Sequence, residues 1–184
     1  MSRFKAAFLD RDGTLNKEVE YLHRIEDFEW IPSAPQAIRR LNEAGILVLV
    51  VTNQAGVARG YYSEQDVGAL HDHMRRELAK EGAHIDAFYY CPHHPDGTVA
   101  EYRRDSHRRK PATGMFEQGL GEWGLQAKDC VVVGDENIDM KPGEMLGMTT
   151  ILVQTGYGEV ETETTEADHV TSDVATATDL ILTL

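Results

Sequence analysis

Short apolar runs rich in branched residues recur along the chain, each followed by a segment whose apolar positions return every three or four residues. The first run is Ala6 to Leu9. The second, Ile46 to Val51, is almost wholly branched aliphatic, the composition of a strand covered on both faces. Ala87 to Tyr90, Cys130 to Val133 and Thr150 to Val153 are the next strands, and Asp168 to Thr171 is expected as an edge strand. The helices between them are marked at their ends. Ala34 to Ala44 has Ser33 placed as N-cap, Pro35 in the first turn and Gly45 just past the end. Ser63 and Asp66 stand at capping-box spacing and open a helix that Gly82 closes. Thr113 to Trp123, stopped by Gly124, and Val174 to Leu184 supply two more. Strand and helix alternating at this spacing predict an α/β fold with right-handed crossovers, a doubly wound, mostly parallel sheet.

Two stretches depart from the alternation. Cys91 to Pro111 is about 20 residues without periodicity, too long for an ordinary connection, and reads as a functional or metal-clipped loop. Gly158 to Asp168 is rich in Glu and Thr and reads as solvated. The 184 residues fit one domain, 1–184, with the loop 91–111 inside it. Acids outnumber bases 31 to 18, a formal net charge of −13, which argues against a nucleic-acid or anionic-membrane surface. No apolar run approaches the ~20 residues of a membrane helix. Met1 to Lys5 leads straight into the first strand rather than resembling a signal peptide. Two cysteines, Cys91 and Cys130, are too few for a disulfide framework. The expectation is a cytoplasmic monomer.

In doubly wound sheets, ligands bind beyond the carboxyl ends of the strands. After the first strand come Asp10, Arg11, Asp12, Gly13 and Thr14, and after the second Thr52, Asn53 and Gln54. The third leads into the loop ending at Arg109, Lys110 and Pro111, and the fourth is followed by Gly134, Asp135 and Asp139. Carboxylates, a hydroxyl, an amide and a lysine therefore converge on one rim. Asp10, Asp12 and Asp135 form an oxygen-rich set suited to Mg²⁺. With a lysine beside it, such a set suits a phosphoryl group. A carboxylate about 4 Å from one unit of phosphate charge is repelled by roughly 4 kcal/mol at an effective dielectric of 20, so cations are needed before an aspartate can attack. Asp10, directly at the strand end, is the natural nucleophile, and Asp12 the acid that protonates the leaving oxygen and then deprotonates water. Each residue also has a plainer account. Asp12-Gly13 alone is a turn, Lys110 alone a surface lysine, and Asp139 equally a first-turn helix acid. Their joint placement on four strand ends favours chemistry.

The run Phe8-Leu9-Asp10-Arg11-Asp12-Gly13-Thr14-Leu15-Asn16 resembles the first motif of the haloacid dehalogenase-like phosphatases, Asp-x-Asp-x-Thr. Thr52-Asn53, Lys110, and Gly134-Asp135 with Asp139 fall in the order of its remaining motifs. Val51 to Gly60, Tyr90 to Pro95 and Arg109-Lys110-Pro111 with Gly114-Met115 resemble more narrowly the D-glycero-D-manno-heptose 1,7-bisphosphate 7-phosphatases, which are related to histidinol-phosphate phosphatases. The resemblance implies a Rossmann-like, haloacid dehalogenase-type core with minimal loop caps. It also implies a Mg²⁺-dependent phosphomonoesterase that removes the 7-phosphate through an aspartyl-phosphate. Asp10 matches the nucleophile and Asp12 the general acid/base. Asp10, the Asp12 backbone carbonyl and Asp135 match the Mg²⁺ ligands. Thr52 and Lys110 match phosphoryl-holding positions, Asn53 and Arg109 substrate-orienting ones, and Glu18 to Tyr21 a loop over the sugar. Arg59 or Arg109 is suited to a distal phosphate.

Two positions depart from the family pattern. The family closes the long loop with zinc through Cys-x-His and a later Cys-x-Cys. Here Cys91-Pro92-His93 keeps the first half, but Ser106-His107-Arg108 stands where Cys-x-Cys is expected. Serine is a poor zinc ligand and arginine is none, so no structural zinc is expected beyond a residual Cys91, His93, His107 set. Glu136 stands where the family often has lysine, an unfavourable neighbour for phosphate. The segment Arg103, Arg104, Arg108, Arg109, Lys110 makes a basic island in an acidic chain, either a solvated loop or an attractor of anionic substrate. The expected substrate is a small phosphorylated sugar, heptose 1,7-bisphosphate first, with histidinol phosphate or another small sugar phosphate as alternatives. A receiver-like phospho-acceptor domain is the alternative of another class.

Overall fold

The computed structural model describes residues 2–184. Its strands are β1 (Ala6–Leu9), β2 (Leu47–Asn53), β3 (Ala87–Cys91), β4 (Cys130–Gly134), β5 (Thr149–Val153) and β6 (His169–Thr171), all paired in parallel in the order β3-β2-β1-β4-β5-β6. The helices are α1 (Ala34–Glu43), α2 (Glu64–Lys80), α3 (Gly114–Trp123), α4 (Asn137–Leu146), α5 (Gly158–Glu161) and α6 (Val174–Thr183). The chain winds outward from β1 to β3 and then returns to lay β4 beside β1. That reversal opens a crevice at the carboxyl ends of β1 and β4, where doubly wound sheets bind ligands. Receiver domains use the order 2-1-3-4-5 instead, so the sheet excludes the receiver-like alternative. Among the described residues, no helix is long and apolar enough to cross a membrane.

Alternation along strands buried on both faces sorts their side chains into two cores. Ala7, Leu9, Val48, Val50, Val131 and Val133 pack under α1, α6 and the Met74–Leu78 end of α2. Phe8, Leu49, Val51 and Val132 pack under α3 and α4, where the Phe8 ring stacks on Phe116 at 5.4 Å. Truncating a wholly buried phenylalanine such as Phe8 costs ~3–5 kcal/mol. The register pairs Leu9 with Val50 on one side and Val133 on the other. Asp10, Thr52 and Asp135 therefore emerge within one residue of the same level.

The structure corrects several sequence expectations. β2 starts at Leu47 and pairs as far as Asn53, opposite Cys91, so Thr52 and Asn53 are the last strand residues rather than loop. Ser33 makes no side-chain cap: it already has helical φ and ψ, and its hydroxyl donates to Asp173 Oδ2 at 2.9 Å, tying α1 to the N-terminus of α6. The Glu- and Thr-rich stretch is not wholly solvated, because it opens with α5 and buries Gly158. The long loop is docked rather than free. Tyr90 and Tyr102 both donate to the Glu64 carboxylate at the start of α2, and Val99 N–H donates to Ala58 O at 2.9 Å. Arg108 donates to Tyr90 O at 3.2 Å and to Gln118.

Candidate active site

At the crevice, Lys110 Nζ donates to Asp10 Oδ1 and to Asp139 Oδ1, both at 2.6 Å, and to Val51 O at 3.0 Å. The four charged groups of this floor are almost sealed: Lys110 is 2 % exposed, Asp139 2 %, Asp135 1 % and Asp10 7 %. Ligand oxygens of Asp10, Asp135 and Asp139 all lie within 4.8 Å of one another. Three buried carboxylates facing one ammonium cannot all ionise cheaply. Burial first, then the charges of neighbouring carboxylates, pushes Asp10 and Asp135 far above the usual carboxylate range. Burial alone would lower Lys110, but Asp10 and Asp139 outweigh it and hold the ammonium raised and protonated.

Backbone geometry builds this floor. Gly13 and Gly156 have positive φ, and a Cβ on either would meet Asp135 Oδ2 at 2.2 Å and 2.0 Å. Asp135 Oδ1 accepts from the Thr14 hydroxyl at 3.3 Å, and Oδ2 from Tyr157 N–H at 2.9 Å. Asp139 sits in the first turn of α4, accepting Glu136 N–H on Oδ2 at 3.0 Å and Lys110 on Oδ1. Its two readings, helix acid and site residue, are both realised. Asn53 turns both amide atoms onto Lys110, receiving Lys110 N–H at 3.0 Å and donating to Lys110 O at 3.1 Å. Its amide holds the lysine's backbone from within the cleft lining.

The carboxylate of Asp12 points elsewhere. It accepts Arg11 Nε at 3.1 Å and Asn16 Nδ2 at 3.0 Å on Oδ1, and Gln54 Nε2 at 3.0 Å on Oδ2, while Arg11 Nη2 reaches both oxygens. The expected ligand trio therefore differs at the side-chain level: the carboxylate grouped with Asp10 and Asp135 is Asp139, and Asp12 has only its backbone to offer. Gln54 Nε2 also donates to Thr52 Oγ1 at 2.8 Å, and its Oε1 accepts the Tyr62 hydroxyl at 2.7 Å.

Above the floor lies a cleft of about 350 Å³ whose lining includes Asp10, Asp12, Glu18, Tyr21, Thr52, Asn53, Arg109, Lys110, Glu136 and Tyr157. Tyr21 adopts φ of 57°, uncommon for an aromatic residue, and its ring meets Tyr61 edge-on at 4.7 Å. Burial, then Asp12 and Glu136, pushes Glu18 up to about 7. Burial and Asp139 also raise Glu136, which does line the cleft. In the same lining, Arg109 carries a buried Nη1 without a partner among the described residues. Arg59 is not part of the lining; it stands close enough to Arg109 for the two cations to oppose each other, and its Nε is likewise buried and unpartnered. On the long loop, Cys91 Sγ lies 3.8 Å from His93 Nδ1, but Arg104 donates to His93 Nε2 at 2.6 Å and His107 Nε2 pairs with Glu117 at 2.9 Å.

Most of the rim read from the sequence is thus assembled: Asp10, Asp12, Thr52, Asn53, Arg109, Lys110, Glu18 and Tyr21 share the cleft, with Asp135 in its floor. The sequence places Gln54 on the rim after Thr52 and Asn53 without a role, and gives no sign of Tyr62 or of Tyr157, whose N–H holds Asp135. Tyr157 carries none, since its role comes from a backbone group.

A HAD-hydrolase-like family model matches residues 107–177. The D-glycero-alpha-D-manno-heptose-1,7-bisphosphate 7-phosphatase of Photorhabdus laumondii is 41% identical over 181 residues, covering 98% of each chain. The D-glycero-beta-D-manno-heptose-1,7-bisphosphate 7-phosphatase of Haemophilus ducreyi is 42% identical, covering 83% of this chain and 84% of that protein. Among solved structures, the D,D-heptose 1,7-bisphosphate phosphatase of B. bronchiseptica, complexed with magnesium and phosphate, superposes with a TM-score of 0.87 at 32% identity over 98% of this chain and 99% of that one. By these relationships the chain belongs to the heptose-1,7-bisphosphate 7-phosphatases, within the haloacid dehalogenase-like hydrolases.

Proposed function

We propose that this phosphatase removes the 7-phosphate of D-glycero-D-manno-heptose 1,7-bisphosphate through a phosphoryl group carried on Asp10. The observation that carries the proposal is the Lys110 bridge. A protonated ammonium between Asp10 and Asp139 keeps a carboxylate at the end of β1 beside a cation able to draw in phosphate. One Asp10 oxygen accepts a hydrogen bond from the Lys110 ammonium, and among the described residues no hydrogen bond occupies the other. That free oxygen attacks phosphorus, the phosphorus–O7 bond breaks, and Asp12 gives its proton to the departing sugar oxygen. Water then attacks the phosphoryl-aspartate, losing a proton to Asp12, and Asp10 leaves as a carboxylate with inorganic phosphate as the second product. The Thr52 hydroxyl, which only accepts from Gln54, is free to donate to a phosphoryl oxygen, while Lys110, its three N–H groups held by Asp10, Asp139 and Val51 O, supplies positive charge beneath it.

The donor set fits Mg²⁺, because it is all oxygen and its excess negative charge is otherwise relieved only by protonation. Asp10, Asp135 and the Asp12 backbone carbonyl would hold the ion, while Asp139 stays paired with the Lys110 ammonium. When bound, Mg²⁺ neutralises charge on the phosphoryl oxygens so that an anionic nucleophile can approach. Arg109 is the group suited to the second phosphate, with Arg59 adding field rather than contact. Glu18 and Tyr21 are suited to sugar hydroxyls. The long loop is read as zinc-free, held by Glu64, Arg104 and Arg108 in place of cysteines, and one zinc per chain in metal analysis of purified protein would overturn that. A monomer of one domain, 1–184, is sufficient for the chemistry.

Phosphate release from both anomers of heptose 1,7-bisphosphate and from histidinol phosphate, with Mg²⁺ and with chelator, tests the reading. It expects Mg²⁺-dependent release with heptose bisphosphate at the highest kcat/KM. Higher kcat/KM on histidinol phosphate would replace the substrate, and undiminished release in chelator would remove the metal.

A further inference from the structure

We propose that His71, on α2, is a positioning residue for the proton-transferring Asp12, acting through Arg11. Arg11 is 1 % exposed, one of the largest fully buried side chains in the protein. Arginine is almost never sealed in this way unless paired. All three of its nitrogens are engaged: Nε and Nη2 grip Asp12, Nη2 also reaches Leu22 O at 3.3 Å, and Nη1 meets His71 Nε2 at 3.2 Å. A guanidinium can only donate, so His71 Nε2 is the acceptor and the imidazole carries its proton on Nδ1. Burial, then Arg11 and Arg75, drives His71 down to about 2, so it remains a neutral acceptor at any working pH. The ring cannot turn away, because it stacks on Phe88 of β3 at 4.2 Å and lies in the apolar stripe of α2.

A buried histidine in such a stripe could serve packing alone. What assigns it more is its partner. Arg11 has one salt-bridge partner, Asp12, and that carboxylate is the end of the pair that reaches the cleft, 21 % exposed. Loss of the acceptor on Nη1 leaves a buried N–H seeking a new partner, and the fork that fixes Asp12 turns with it. Lys110 and Asp10 do not touch this chain of contacts, and Thr52 meets it only through the Gln54 amide, so attack by Asp10 stands apart from it.

The inference rests on the phosphatase reading and is tested by leaving groups. A sugar oxygen departs only with a proton, whereas p-nitrophenolate needs none. In His71→Phe, kcat on heptose 1,7-bisphosphate should fall about tenfold or more with KM within about threefold. The first-turnover burst from p-nitrophenyl phosphate should stay within about threefold of the parent. His71→Gln, which keeps an acceptor, should recover most of the loss, and Arg11→Lys should reproduce the His71→Phe pattern. A burst that falls in step with kcat, no recovery in His71→Gln, or variants that simply fail to fold would each make the pair structural and overturn the proposal. Failure of the parent protein to turn over either substrate would instead overturn the phosphatase reading beneath it.

Discussion

The floor of the cleft and its rim are built on opposite plans. In the floor, Asp10, Asp135, Asp139 and Lys110 are sealed, each within hydrogen-bond reach of another group, and glycines are required where Asp135 passes. At the rim, Tyr61 and Tyr157 are half exposed, Tyr21 is held in an uncommon backbone conformation, and acids and Arg109 share the lining. A sealed, over-determined floor suits chemistry that depends on charge placement, which works best when the polar groups need no reorganisation. A rim of tyrosines and paired loops suits recognition, which tolerates side-chain adjustment. Changes in the floor should therefore strike kcat and changes in the rim should strike KM.

The sharpest division comes from Asp10→Asn, which should lower kcat by roughly 10⁴-fold or more while leaving the melting temperature unchanged or higher, because a buried charge is removed. Steady-state kinetics beside a thermal melt checks both halves. Next in size is Gly13→Ala. A methyl group 2.2 Å from Asp135 Oδ2 at φ of +85° must displace the carboxylate. Unfolding free energy should fall by about 2–4 kcal/mol and Mg²⁺ affinity should weaken, measurable by denaturant titration and calorimetry. At the rim, Tyr21→Ala should raise KM for heptose bisphosphate by about tenfold with kcat within about threefold. An equal loss in kcat would erase the floor–rim division. Smallest in activity is Glu64→Ala, which takes the shared acceptor from Tyr90 and Tyr102 and should cost about 1–2 kcal/mol of stability with kcat little changed.

The same contrast predicts a dependence on pH. Asp10 and Asp135 are raised above their unfolded value of 3.8, so above that pH the metal-free native state holds protons the unfolded chain has released. Metal-free stability should therefore decline as pH rises from about 4 toward the raised folded values, and added Mg²⁺ should raise the melting temperature more at pH 8 than at pH 5. His71 works in the other direction. Held down to about 2 in the fold against 6.5 unfolded, it removes stability as pH falls below 6.5. A pH series of melts with and without chelator separates the two limbs, and in His71→Gln the acid limb should be shallower.

The floor was legible in the sequence because strand periodicity fixes where a chain leaves the sheet. Once Leu9, Val51 and Val133 are read as strand residues, the polar residues after them are bound to meet. Asp139 stayed ambiguous because one carboxylate serves both as helix-start acceptor and as lysine partner, and spacing cannot separate two roles that coincide. Arg11 lay in plain view between two aspartates, yet its burial depends on His71, 60 positions along the chain and in contact only after α2 docks. Ser33 was misread because its hydroxyl finds Asp173, a partner 140 residues away. Residues whose partners lie beyond the local element carry no periodic signature.

During turnover the phosphoryl group should rest on Asp10. Rapid acid quench of the enzyme turning over heptose 1,7-bisphosphate with Mg²⁺, followed by peptide mapping, should find phosphate on Asp10 and on no other carboxylate. Turnover that leaves every carboxylate unlabelled, or a label on Asp12 or Asp139 in its place, would contradict it.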